Sequence, residues 1–171
     1  PRGRTGFAHL YEHLFFGGSE NVENFDLPLE AAGSPVGLGV DGSASNDNSN
    51  LMEGVRHALM INRLRYGSSG VTHFDAFRWA TEGSARCLGR NDIGAIAVGK
   101  QADLAFFTLD DLRFSGAGDP LAALVLCGAH AADRVMIKGA WRVVDGLPID
   151  VDLARLRREH GAAAKAFLET I

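Results

Sequence analysis

Pro35 is followed by five residues, Val36-Gly-Leu-Gly-Val40, that are all apolar or glycine, and the run stops at Asp41-Gly42. A short apolar run bounded by Pro and Asp-Gly is the pattern of a buried parallel strand, whose two faces are both covered. Strands of that kind need helices against them, so the run commits the chain to an α/β arrangement. It also leaves a carboxylate at the strand end, where barrel enzymes keep catalytic groups.

The surrounding pattern supplies the helices. Leu51, Val55 and Leu59 recur at four-residue spacing, predicting an amphipathic helix over 51–66 that is closed by Gly67 and covers one face of the strand. Thr72-His-Phe-Asp75 has the form of a capping box, and a second helix is expected from there to Leu88, stopped by Gly89. Asp119-Pro120 opens a short helix through Val125. Strands are expected at Asp103–Leu109, Val135–Lys138 and Trp141–Val144, the last two joined by a type II′ turn at Gly139-Ala140. Leu153, Leu156, His160, Ala163 and Phe167 mark the packing stripe of a C-terminal helix. Upstream, residues 7–16 read as a short apolar helix ended by Gly17-Gly18, and Leu27–Ala32 as a helical turn ended by Gly33.

With 171 residues of which 46% are hydrophobic, the chain has enough apolar surface for one good core. Its net charge is −4 and no run of Lys or Arg exceeds two, which argues against a nucleic-acid partner. No apolar stretch reaches about 18 residues, so no membrane span is expected. Cys87 and Cys127 lack Cys-x-x-Cys pairing and read as small core hydrophobes in a reducing, cytoplasmic setting. The first residue is Pro1, and the opening Pro-Arg-Gly-Arg-Thr-Gly reads as the middle of a longer chain.

Two sets of residues can carry chemistry. His9-Leu-Tyr-Glu-His13 places two imidazoles one helical turn apart, where His9 and His13 can hold Zn²⁺ while Glu12 accepts a proton from bound water. The string from Gly6 to Asn21, continuing through Phe25 to Ala32, resembles the inverzincin metallopeptidases of the insulinase and pitrilysin kind. That resemblance implies His9 and His13 as zinc ligands and Glu12 as the general base. The family's third ligand is a glutamate some seventy to eighty residues on, a window that holds only Glu82 at its near edge. Glu20, Glu23, Asp26 and Glu30 are the other candidates, and two imidazoles without a third ligand bind zinc weakly.

The second set begins at Asp41. Pro35-Val-Gly-Leu-Gly-Val-Asp-Gly-Ser-Ala-Ser-Asn-Asp47, then Ala80-Thr-Glu-Gly-Ser-Ala-Arg-Cys-Leu-Gly-Arg90, then Asp92-Ile-Gly-Ala-Ile-Ala-Val-Gly-Lys-Gln-Ala-Asp-Leu-Ala-Phe106 resemble the last third of an amidohydrolase-superfamily enzyme. The likeness is to the purine and s-triazine aminohydrolases, the 8-oxoguanine deaminase and hydroxyatrazine hydrolase types in particular. It implies that Asp41, at the end of barrel strand eight, binds Zn (or Fe) and shuttles the proton of the attacking water during hydrolytic deamination of a small heterocyclic substrate. Ser43, Ser45, Asn46 and Asp47 then line the loop beyond, where helix capping explains them equally well. The family's His-x-His pair, its strand-five histidine and its further Glu and His all fall upstream of Pro35, where the residues resemble the other family. His57, His73, His130 and His160 read as solvated or core residues, and Trp79 and Trp141 as packing residues.

The expected organisation is therefore an inverzincin-like helical segment at 1–34, the end of an amidohydrolase barrel at 35–90, part of a small β-sandwich at 91–150 and a C-terminal helix at 151–171. This is an α/β fold containing the last βα unit of a (β/α)₈ barrel, joined near Ala31-Ala-Gly-Ser-Pro35. A natural fusion, a shuffled reading frame and an assembly error all produce such a join. The isolated chain is expected to be inactive in deamination, and a lone parallel strand with two open edges predicts a homo-oligomer or a poorly stable monomer. Two alternatives stay open, a zinc metallopeptidase working at residues 9–13 and a non-catalytic αβ fragment.

Overall fold

The computed structural model describes residues 31, 33–41, 48–128 and 131–170. The predicted helices at 7–16 and 27–32, with His9, Glu12 and His13, lie outside them except for Ala31, which is helical.

Helix α1, Leu51–Tyr66, starts where Asn50 Oδ1 accepts a hydrogen bond from Met52 N at 3.0 Å and ends at Gly67, whose φ of 85° needs no Cβ. Glu53 in its first turn and Arg63 and Arg65 in its last match the helix dipole. The buried stripe is Val55, Leu59 and Asn62 rather than Leu51, which is 38% exposed because it stands in the first turn, beyond the edge of the core. Asn62 is satisfied within the helix by donating to Ala58 O at 2.9 Å.

The capping box forms as expected: Asp75 N donates to Thr72 Oγ1 at 3.2 Å, and Thr72 N donates to Asp75 Oδ2 at 2.9 Å. It starts α2, His73–Arg78, but the helix does not run uniformly to Leu88. A π-helical turn occupies Trp79–Gly83, and α3, Ser84–Cys87, follows it before Gly89 at φ 66° turns the chain away. Helix α4, Pro120–Leu126, is capped by Asp119, whose Oδ1 accepts from Leu121 N at 2.9 Å and Ala122 N at 3.0 Å.

These helices share one core of Val55, Leu59, Val71, Ala76, Trp79 and Val125, on which Val36 and Leu38 pack half-buried. The segment 36–40 is not a strand. The described residues offer it no neighbouring strand, and the peptide of Leu38 is satisfied by a side chain instead: Leu38 N donates to Ser84 Oγ at 3.1 Å, and Ser84 Oγ donates back to Leu38 O at 3.1 Å.

The strands lie later. β1, Leu104–Phe106, β2, Arg134–Ile137, β3, Ala140–Val144, and β4, Leu147–Pro148, make a four-stranded antiparallel sheet in sequence order, with a bulge at Val135/Met136. Ile137 pairs with Ala140, so the β2–β3 turn is Lys138-Gly139 and not Gly139-Ala140. Both residues have positive φ, 52° and 75°, the requirement of a type I′ turn rather than the expected II′. Asp145-Gly146, at 52° and 74°, makes a second such hairpin between β3 and β4. Trp141 is 38% exposed and stacks obliquely on Phe106, with ring centroids 5.6 Å apart.

Helix α5, Leu153–Leu168, is capped by Asp152 and follows the sheet. Its expected packing stripe is not buried: Leu156 and Phe167 are 50% and 66% exposed, and no described element covers them. Cys87 and Cys127 are exposed thiols, not core residues, because each falls at the end of a short helix, beyond the buried face. Among the described residues no helix is long and apolar enough to cross a membrane.

Candidate functional site

Asp41 stands at the end of the extended segment that Val36 and Leu38 anchor on the helical core. It is exposed, and its φ of 60° puts a non-glycine residue in the left-handed region. Aspartate tolerates that region better than most residues, yet such a conformation persists only where the surroundings impose it. The chain resumes after the loop at Asn48, whose amide donates to the Glu53 carboxylate, and at the Asn50 cap of α1. Ser43, Ser45, Asn46 and Asp47 lie outside the described residues.

The side chains expected near this site are dispersed. Glu82, in the π turn, is 3.6 Å from Arg78 in an i,i+4 ion pair. His73 Nε2 is 3.0 Å from Asp119 Oδ2, His57 is exposed on α1 and His160 is exposed on α5. His130 is not described. Among the described residues no three His, Cys, Asp or Glu side chains converge as a metal site. Asp41 is thus a single candidate ligand, whereas a catalytic zinc needs three protein ligands. The described residues do not fit a metal by themselves.

Carboxylates elsewhere are tuned by hydrogen bonding rather than by burial. The Thr72 hydroxyl holds the Asp75 carboxyl below the ordinary value of 3.8, and the amide of Ala122, aided by His73, does the same for Asp119. The amide of Thr108 lowers Asp133. Each serves a cap or a loop, which marks it as structural.

Sequence patterning missed the π turn and the role of Ser84. The available signal was Gly83 inside a helical pattern, since an isolated glycine there marks close backbone approach. A Cβ on Gly83 would stand 2.1 Å from Val36 O.

The whole arrangement, an aspartate ending a segment packed on helices, ahead of a small antiparallel sheet, has counterparts among known proteins. The amidohydrolase family model matches residues 17–142, and the chain belongs to that family. It is 63% identical over 142 residues to the 8-oxoguanine deaminase of Pseudomonas aeruginosa, covering 83% of this chain and 32% of that protein. Against the hydroxydechloroatrazine ethylaminohydrolase of Pseudomonas sp. (strain ADP), identity is 40% over 148 residues, covering 81% and 30%. Among solved structures it superposes on atrazine chlorohydrolase TrzN from Arthrobacter aurescens TC1 complexed with zinc, at TM-score 0.72 and 35% identity, over 78% of this chain and 30% of that one. It also superposes on a zinc-bound adenosine deaminase from Xanthomonas campestris at TM-score 0.76 and 30% identity, over 84% and 33%. The chain spans about a third of the length of the relatives it matches.

Proposed function

We propose that this chain carries the last strand-to-helix unit of a (β/α)₈ metal-dependent aminohydrolase, the part that ends in Asp41, together with part of the accompanying small β-sandwich. The observation that carries the reading is the 63% identity to an 8-oxoguanine deaminase over 142 residues. The parent reaction is hydrolytic deamination of a small heterocycle of the purine or s-triazine kind. In it the Asp41 carboxylate takes the proton of the attacking water and passes it toward the leaving amine, work that requires an exposed carboxylate held in one orientation. The parent's metal is zinc or iron by resemblance. Asp41 is the one carboxylate the described residues would bring to it.

The described residues of the chain do not by themselves complete the site. Residues 1–34, with the His9, Glu12 and His13 box, resemble a different metallohydrolase, and a join near residues 31–35 would account for that resemblance, while the amidohydrolase match itself begins at residue 17. A working peptidase site at residues 9–13 is the second reading, favoured by the box itself. The half-buried segment 36–40, without a strand partner among the described residues, favours self-association, since unpaired backbone edges recruit other chains.

The direct experiment is a hybrid: residues 35–171 replace the matching third of the Pseudomonas aeruginosa 8-oxoguanine deaminase, and ammonia release is measured. Turnover that disappears on Asp41→Ala supports the reading, and a folded, metal-loaded hybrid without turnover contradicts it.

A further inference from the structure

Asp41 holds an uncommon backbone conformation, and a π turn packs against the segment that leads into it. A regular helix from α2 into α3 would place Ser84 N opposite Ala80 O. The extra residue in the π turn lets Ser84 N reach Trp79 O instead. The widened turn then presents Gly83 and Ser84 to the segment that leads into Asp41. Two glycines permit the approach: on Gly83 a Cβ would meet Val36 O at 2.1 Å, and on Gly37 it would meet Ser84 Cα at 2.7 Å. Neither site has room for a side chain, so helix and segment lie backbone to backbone.

Across that contact the Ser84 hydroxyl serves both backbone polar groups of one residue, Leu38. It accepts from Leu38 N at 3.1 Å and shares its single proton between Leu38 O and Trp79 O, each at 3.1 Å. A neighbouring strand would provide the same donor and acceptor, so the serine stands in for a strand partner at Leu38. Cys87 Sγ, one turn further on, faces Pro35 O at 3.5 Å. The segment is therefore held at Pro35, Val36, Gly37 and Leu38, and Asp41 follows three residues later. π-Helical turns inside α-helices recur at functional sites.

We propose that Ser84, through its bracket on Leu38, is a positioning residue that fixes the backbone of Asp41 for proton transfer. This rests on the reading of Asp41 as the proton-shuttling carboxylate. The backbone claim itself is tested without any turnover.

The test uses the full chain, isotopically labelled, and reads the sign of φ at Asp41 from backbone couplings and cross-correlated relaxation. Lys138, at φ 52° in the β2–β3 turn, is the internal control. Ser84→Ala is expected to abolish the positive-φ signature of Asp41 while Lys138 keeps its own, and Ser84→Thr, which retains the hydroxyl, to restore it. Gly37→Ala, which attacks the same contact from the other side, is expected to behave as Ser84→Ala does. An unchanged Asp41 signature in Ser84→Ala overturns the proposal. Should the variants lose the Lys138 signature as well, amide exchange in the unmodified chain decides: protection of Leu38 N–H supports the bracket, and exchange at the unfolded-chain rate overturns it. A deaminase hybrid that is inactive while Asp41 responds as expected refutes the functional reading and leaves the positioning claim standing.

Discussion

His73 Nε2 lies 3.0 Å from Asp119 Oδ2, so the first turn of α2 is tied to the N-cap of α4 by a carboxylate that also holds the first amides of α4 through its other oxygen. The two oxygens can be separated experimentally. Asp119→Asn keeps a capping acceptor and removes the charge, whereas Asp119→Ala removes both. Thermal unfolding at neutral pH is expected to rank native above Asn above Ala. Equal losses for the two variants would mean that the cap contributes nothing.

Acid sensitivity follows from the lowered carboxylates. Asp75 is held below 3.8 chiefly by the Thr72 hydroxyl. A depressed folded-state value means its contribution is fully present above the unfolded value and is lost as pH falls through the folded one. Unfolding midpoints measured from pH 7 downward are expected to fall mainly below pH ~4, and less steeply in Asp75→Asn. Thr72→Ala, which removes the cap at every pH, is expected to cost about 0.5–2 kcal/mol. An unaltered acid limb in Asp75→Asn would assign the acid loss to other groups.

The helical core makes a sharper contrast. Leu59 is fully buried and Leu51 is 38% exposed on the same helix. Leu59→Ala is expected to cost ~2–5 kcal/mol by chemical denaturation, as a core truncation does. Leu51→Ala is expected to stay near ~0.5 kcal/mol, the level of an ordinary surface change. Similar losses at both positions would displace the core from where these residues put it.

Much of this was legible because local chemistry decided it. Thr72 and Asp119 each announce a helix start, and each accepts the expected backbone amide. The errors share a different cause. Val36–Val40 has the composition of a buried strand, but strand pairing is a property of neighbours, and the Ser84 hydroxyl took the place of one. The stripe on α5 is amphipathic without being packed, since periodicity specifies a face and not its partner. The β2–β3 turn falls one residue earlier than the Gly139-Ala140 pattern implies, because Lys138 takes the positive φ before Gly139. Asp145-Gly146, a strong hairpin signal, was there to be read. At the candidate site the sequence marks Asp41 as the end of an apolar run, but gives no sign of its left-handed backbone.

The box at residues 9–13 predicts weak metal binding. Two imidazoles must both be neutral to bind, so zinc affinity is expected to fall as pH drops through the imidazole range near 6.5. Substoichiometric zinc is expected after dialysis, with no hydrolysis of a generic peptide. Tight stoichiometric binding lost in His9→Ala, with peptide hydrolysis lost in Glu12→Gln, would make residues 9–13 the working site.

The central proposal is that Asp41 is a competent aminohydrolase aspartate around which the described residues alone do not complete a site. Ammonia release from 8-oxoguanine tests this most directly, measured for the 171-residue chain and for the hybrid deaminase carrying its residues 35–171, each with Asp41 intact and as Asp41→Ala. The account predicts no release from the chain alone and release from the hybrid that vanishes with Asp41→Ala. Sustained release from the chain alone, or a hybrid indifferent to Asp41, would contradict it.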